Sequence, residues 1–280
     1  MLTPLYSLSL RGRLMKIDRP LVMGILNLTP DSFYSPSRTG SAKESVNRVA
    51  RMLEEGADII DIGACSTRPG SHPVSETKEL QTLSAPLEEI RKRFPEAVLS
   101  VDTFRASVAR RSLEDWKVDI INDVTGGEDP DMYGVVAEYG APYILTHSRG
   151  DSATMDSLCD YADLMADIVR ELAFKVDRAH AAGIADVIVD PGFGFAKDNA
   201  QNLRLLAHLD MFGVLGCPVL AALSHKRFAK AAADTADDSV IPTVVLDTVA
   251  LMNGASIIRV HDVAEGVITA KIMAKLWNLE

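Results

Sequence analysis

The chain has 280 residues, 47% hydrophobic and 24% charged, with 29 Lys and Arg against 39 Asp and Glu for a net charge of −10. That balance supplies a sizeable core, excludes a disordered chain, and argues against a general nucleic-acid or anionic-membrane binder, which would need a basic surface. Three widely spaced cysteines (Cys65, Cys159, Cys217) without a CxxC pair support neither a disulfide framework nor a structural zinc site and fit a reducing, cytoplasmic setting.

Residues 1–20 mix polar and apolar positions. LYSLSL alternates with period two and RGR can turn it, so a short hairpin covering one end of the fold is expected. No long apolar core of the signal-peptide kind stands there, and no later run reaches the ~18 apolar residues of a membrane span. The first buried strand, LVMGILN, covers 21–27 and stops at Asn27. SAKESVNRVARMLEEG then reads as a helix capped by Ser41, with Val46, Val49, Ala50 and Leu53 on one face and a stop at Gly56. ADIIDIG runs into Ser66, Thr67 and Arg68, and ETKELQTLSAPLEEIRKRF is a helix interrupted by Pro86. AVLSVD stops at Asp102 and is followed by the helical stretch SVARRSLEDW. VDIIND stops at Asn122 and Asp123, ahead of DPDMYGVVAEYG. PYILTH stops at His147, and SLCDYADLMADIVRELAFKVDRAHAAG is expected to be the longest helix, at roughly seven turns. DVIVD stops at Asp190, ahead of NAQNLRLLAHLDMFG. PVLAALSHK stops at Ser224, His225 and Lys226, ahead of VIPTVVLDTVALMNG. SIIRVH stops at Arg259 and His261, and DVAEGVITAKIMAKLWNL closes the chain.

About eight strands alternating with helices predict an α/β fold with a parallel sheet, and a closed (β/α)₈ TIM barrel fits the length best. An open doubly wound sheet is the runner-up, but the first strand is followed by no G-x-G-x-x-G loop. No linker interrupts the alternation, so the expected organisation is a hairpin extension at 1–20 and one barrel domain at 21–280. In a barrel the strand C-termini open on one face, which gathers the polar strand endings into one mouth. Two long Ser-, Thr-, Pro- and Gly-rich loops, 28–40 and 65–75, leave that face and read as substrate loops or lids.

Asp102, Asn122 and Asp190 together offer two carboxylates and an amide, which suit a ring system rich in amino, imino and amide groups, although each could instead cap the helix that follows it. Arg68, Arg259 and His261, with the Thr67 hydroxyl, suit phosphate oxygens. Arg259 sits inside an apolar strand and needs a partner there, and His261 two residues on shares its side of the strand. Lys226 could be a solvated surface lysine, a site cation or a Schiff-base lysine. His147 could belong to the mouth or to the core, and Cys65 has no readable base partner that would make it a nucleophile. Gly192 and Gly194 in DPGFGF permit close backbone approach to a ligand, with Phe195 as an apolar wall.

Beyond this generic logic, the blocks of the chain resemble those of dihydropteroate synthases. MGILNLTPDSF (23–33) is similar to the family's first signature and DIIDIGACSTRPGS (58–71) to its second. SVDT at 100–103, INDVTGG at 121–127, VDPGFGF at 189–195, SHK at 224–226 and RVHDV at 259–263 follow in the family's order. The resemblance implies a pterin-binding (β/α)₈ barrel, usually a homodimer. It would join 6-hydroxymethyl-7,8-dihydropterin diphosphate to p-aminobenzoate with Mg²⁺, giving 7,8-dihydropteroate and pyrophosphate. It further implies that Asp102, Asn122, Asp190 and Lys226 hold the pterin, that Thr67, Arg68, Arg259 and His261 take the diphosphate, and that Asn27 binds Mg²⁺. Pro69, Phe195 and Ser224 would shape the p-aminobenzoate site, which is also the sulfonamide site, and Asp102, Lys226 and Arg259 would carry the chemistry. The chain departs from the family at Cys65, where Glu is common, at His225, where Arg is common, and at Thr146, His147 and Ser148, where the family is Met-rich. A methyltetrahydrofolate-dependent methyltransferase would share the pterin-holding Asp and Asn but has no diphosphate to bind, so TPDSF, STRPG and RVH favour the synthase. A non-catalytic pterin-binding paralogue would not need Asn27, Arg68, Asp102, Lys226 and Arg259 all in place.

Overall fold

The computed structural model describes residues 6–28, 41–65, 74–151, 153–235 and 239–277. Its first element is the expected hairpin: β1 (Tyr6–Leu10) pairs antiparallel with β2 (Arg13–Ile17). The two-residue turn between them has positive φ at both Arg11 (46°) and Gly12 (79°), the geometry whose twist matches that of the flanking strands.

The remaining described strands form one parallel sheet: β3 (Leu21–Asn27), β4 (Ile59–Gly63), β5 (Leu99–Asp102), β6 (Ile120–Asp123), β7 (Tyr143–Thr146), β8 (Val187–Asp190), β9 (Leu220–Ala221) and β10 (Ile257–Val260). Their order is β8-β7-β6-β5-β4-β3-β10-β9, and a bridge from Val189 to Val219 joins the two edges, so the sheet closes as a barrel. The helices α1 (Ala42–Glu55), α2 (Glu76–Arg93), α3 (Ala106–Glu114), α4 (Met132–Tyr139), α5 (Leu164–Ala181), α6 (Asn199–Ala207), α7 (Arg227–Ala232), α8 (Val240–Met252) and α9 (Val263–Trp277) follow the strands.

The helices differ from the sequence reading at three points. In α1, Ser41 Oγ accepts from the Glu44 N–H and Gly56 ends the helix in the left-handed region, as expected, but Ser45, Val49 and Met52 form the buried line and Val46 and Leu53 flank it. α2 runs unbroken through Pro86, because Pro86, Leu87 and Ile90 are buried against the barrel and that packing outweighs one lost backbone bond. α5 has 18 residues, about five turns rather than seven, because Asp163 caps it at the Ala166 N–H.

The period-two alternation of the strands builds two cores. One set of side chains packs outward against the helices, including Ile62, Val101, Ile121, Leu145, Val189 and Ile258. The other set fills the barrel: Leu21, Met23, Ile59, Ile120, Ile144, Ile188, Leu220 and Ile257, met from below by Leu8, Leu10 and Ile17 of the hairpin. The hairpin thus plugs the end of the barrel opposite the strand C-termini.

Candidate active site

Two residues further along five of the strands, the barrel interior changes from apolar to polar. Ile59 gives way to Asp61, Ile120 to Asn122, Ile144 to Thr146, Ile188 to Asp190 and Ile257 to Arg259, while β3 and β5 end in Asn27 and Asp102. The register places Asn27 beside Gly63, Gly63 beside Asp102 and Asp102 beside Asn122. Asn27, Asp102 and Asn122 line a cavity of about 590 Å³ with Asp190, Phe195, Ser224, His225, Lys226, Arg259 and His261. Every described residue that the sequence assigned to the site is therefore brought to one mouth. Thr67, Arg68 and Pro69, and most of both long loops, lie outside the described residues.

The floor is built around a residue the sequence reading passed over. Asp61 Oδ2 accepts from Arg259 Nε at 2.7 Å and from Asn122 Nδ2 at 3.0 Å, and Arg259 Nη2 also reaches Asp102 Oδ2 at 3.0 Å. Asp61 Oδ1 is buried with no hydrogen-bond partner among the described residues. The signal was present in the sequence: a carboxylate interrupts the apolar run IIDIG on the barrel-facing parity. The partner that a buried Arg259 requires is this pair of carboxylates.

Asp102 is pushed up to about 7, mainly by burial and further by Asp61, with Arg259 acting against the shift. Burial also raises Asp190, while Lys226 opposes that rise. Lys226 is lowered to about 8 by burial, with Asp190 acting against it and Arg259 adding to it. Its Nζ donates to the Phe193 carbonyl and lies 5.0 Å from the centre of the Phe195 ring. Ser224 Oγ and His261 Nδ1 are 2.9 Å apart. Burial, with His225 and Arg259 nearby, lowers His261 to about 3.

The departures from the family pattern fall around this mouth. Cys65 borders it, and burial raises its thiol. His225 has φ +56° and is gripped at both ring nitrogens, Nδ1 by Ser239 Oγ and Nε2 by Asp262 Oδ2 at 2.5 Å. Thr146 faces the barrel interior, whereas His147 has the opposite parity and turns out toward α5, where Nε2 lies 3.0 Å from Glu171 Oε2. Of the two places the sequence left open for His147, the mouth and the core, the structure puts it behind the sheet, buried against α5. Asp123 behaves likewise, accepting from the Gly127 N–H and the Tyr143 hydroxyl behind the sheet.

Residues 23–261 match the family model described as pterin binding enzyme. A probable bifunctional folylpolyglutamate synthase/dihydropteroate synthase of Haloferax volcanii is 40% identical over 91% of this chain, which spans 30% of that relative's length. The crystal structure of Yersinia pestis dihydropteroate synthase with a sulfonamide drug superposes with a TM-score of 0.93 at 38% identity, covering 98% of this chain and 100% of that one. That of the Thermus thermophilus enzyme with 4-aminobenzoate gives 0.86 at 36% identity, covering 98% and 99%.

Proposed function

The chain belongs to the pterin-binding enzyme family, and from that premise we propose that it is a dihydropteroate synthase, condensing 6-hydroxymethyl-7,8-dihydropterin diphosphate with p-aminobenzoate. The observation that carries the reading is the barrel floor, where Asp102, Asn122 and Asp190 present two carboxylates and an amide beside the cations Arg259 and Lys226. A pterin ring offers amino and ring N–H donors and a carbonyl acceptor, and those groups pair with this set.

In the reaction the bond between the pterin methylene and the diphosphate oxygen breaks, and pyrophosphate leaves with the electron pair. The methylene becomes cationic, and ionised Asp102 beneath the ring stabilises that charge. The amine of p-aminobenzoate then supplies the electron pair of the new C–N bond and loses a proton. Arg259 and His261, with Thr67 and Arg68, serve the departing pyrophosphate. Phe195, Ser224 and Pro69 wall the site of the attacking amine. No covalent enzyme intermediate is needed.

The donor set also fits Mg²⁺. No group of three or more His, Cys, Asp or Glu that could cage a metal occurs among the described residues, but Mg²⁺ commonly takes only one or two protein oxygens and completes its shell with phosphates and water. Asn27 would supply the protein oxygen at the top of β3, and the ion would add positive charge to the leaving diphosphate. A homodimer is favoured by the outer faces of the neighbouring helices α8 and α9, where Ile241, Val245 and Met252, and Ile268, Ile272 and Leu276, are exposed. No disulfide joins Cys65, Cys159 and Cys217, which supports a cytoplasmic setting, and no described helix is long and apolar enough to cross a membrane. A coupled assay for pyrophosphate should show release that depends on both substrates and Mg²⁺; no release from the pure protein with all three present would refute the synthase reading.

A further inference from the structure

Lys197, just past the DPGFGF loop, is 7% exposed and has no role in the reaction as described. Its Nζ lies 3.0 Å from each of three acceptors: the Gly192 carbonyl, the Phe195 carbonyl and His147 Nδ1. An ammonium has three N–H groups, so donors and acceptors match one to one. The third contact fixes the histidine tautomer. Nδ1 accepts only without a proton, so the ring hydrogen sits on Nε2 and is donated to Glu171, which Arg149 also holds. Burial and the Lys197 charge lower His147 to about 3, which keeps the ring in that neutral form.

Lys197 completes a loop whose backbone is bonded along its length. The Gly192 N–H donates to Asp190 Oδ1 at 2.8 Å, and the Gly194 N–H to Asn202 Oδ1 at 2.7 Å. The Phe193 carbonyl takes Lys226, and the Ala196 carbonyl takes the Tyr161 hydroxyl at 3.0 Å. Gly192 has φ +73°, and a Cβ there would meet the His147 carbonyl oxygen at 1.9 Å, so only glycine lets the loop press against the end of β7. Lys197 ties the two ends of this segment together.

We propose that Lys197 is the positioning residue of the p-aminobenzoate wall: its ammonium, backed by His147 and Glu171, clamps Gly192 to Phe195 and so fixes both the Phe195 ring and the carbonyl that orients Lys226. The identity of the substrate rests on the synthase reading, whereas the clamp itself does not. A neutral amine has two N–H groups for the three acceptors, so the clamp needs the protonated form. Burial lowers Lys197 to about 7; Asp190 and Glu171 face it as anions that oppose the shift, and Lys226 and Arg149 as cations that add to it. The clamp therefore loosens as pH rises through neutrality.

The test is hydrogen–deuterium exchange of the peptide covering Gly192–Ala196 in the ligand-free full chain, corrected for the chemical rate, at pH values from about 6 to 8.5, with α1 peptides as the control for global opening. Wild-type protection should fall about tenfold across that range, the size of one net buried hydrogen bond, and K197M should already show the lower protection at pH 6. The KM of K197M for p-aminobenzoate should rise about tenfold, while that for the pterin diphosphate changes much less. Flat wild-type protection overturns the proposal even if K197M does not fold, and so do unchanged protection and unchanged KM in a folded K197M. Wild-type protein that makes no dihydropteroate would sink the synthase reading and leave the exchange result standing.

Discussion

The two flanks of the mouth hold their cations by different means. On the β4–β10 flank, Arg259 lies between the carboxylates of Asp61 and Asp102. On the β8–β9 flank, Lys197 and Lys226 are held mainly by backbone carbonyls, with Asp190 as the nearby carboxylate. A guanidinium keeps its charge under burial, whereas an ammonium taken from water toward neutral oxygens gives up its proton readily. The first flank therefore keeps its cation charged while burial raises its carboxylate Asp102 to about 7, and on the second flank burial lowers the cations themselves, Lys197 to about 7 and Lys226 to about 8.

The arginine flank is tested first by Asp102→Asn. It should lower kcat about 10²- to 10³-fold, the usual cost of losing one preorganised electrostatic contact, while the melting temperature stays near wild type because Arg259 keeps Asp61. Unchanged turnover would remove Asp102 from the mechanism. Arg259→Ala should come next: two buried carboxylates lose their counter-ion, at a cost of about 3 kcal/mol in denaturant unfolding. It should also weaken the pterin diphosphate more than the pterin alcohol that lacks the diphosphate, and equal weakening would contradict a phosphate role.

Both flanks are tested by pH. Asp102 must be ionised and Lys226 protonated, so kcat/KM for the pterin diphosphate should rise with pH toward about 7, the value to which burial pushes Asp102, and fall above about 8, the value to which burial lowers Lys226. Asp102→Asn should abolish the acid limb and leave the alkaline one. An acid limb that survives in that variant would belong to another group.

A further test, on stability alone, concerns a carboxyl outside both flanks. Asp247 in α8 is buried, its Oδ1 has no partner among the described residues, and burial raises its pKa well above the usual carboxylate value. In the unfolded chain it ionises near pH 4, so its contribution to stability falls as pH rises above that point, by up to about 1.4 kcal/mol per unit until the folded group also titrates. Asp247→Asn should therefore melt close to wild type at pH 4 and above it at pH 7. Parallel melting curves at all pH values would show that Asp247 is not held as the neutral acid.

The fold was legible because the strand–helix alternation repeats through most of the chain, and most of the site because barrel strands deliver their C-terminal residues to one face. Two things hid the rest. Side-chain parity separates Thr146 from His147 and Asn122 from Asp123, and adjacent polar residues at a strand end look equivalent until one is seen to face the helices. Context hid Asp61 inside an apolar run, and hid Lys197 in a polar stretch that reads as the entry to α6. The length of α5 was misjudged because the polar residues before Asp163 continue a helix-like pattern that the cap ends.

The hairpin plug has a kinetic consequence. With Leu8, Leu10 and Ile17 sealing the far end of the barrel, everything that enters must leave by the same door. Under the proposed function a pterin resting on Asp102 and Asn122 would lie beneath the aromatic wall, and a second reactant seated against Phe195 would block its exit. Traffic through such a dead-end chamber would be sequential: the deeper guest would arrive first, and the joined product would have to back out past Phe195 before another round could begin.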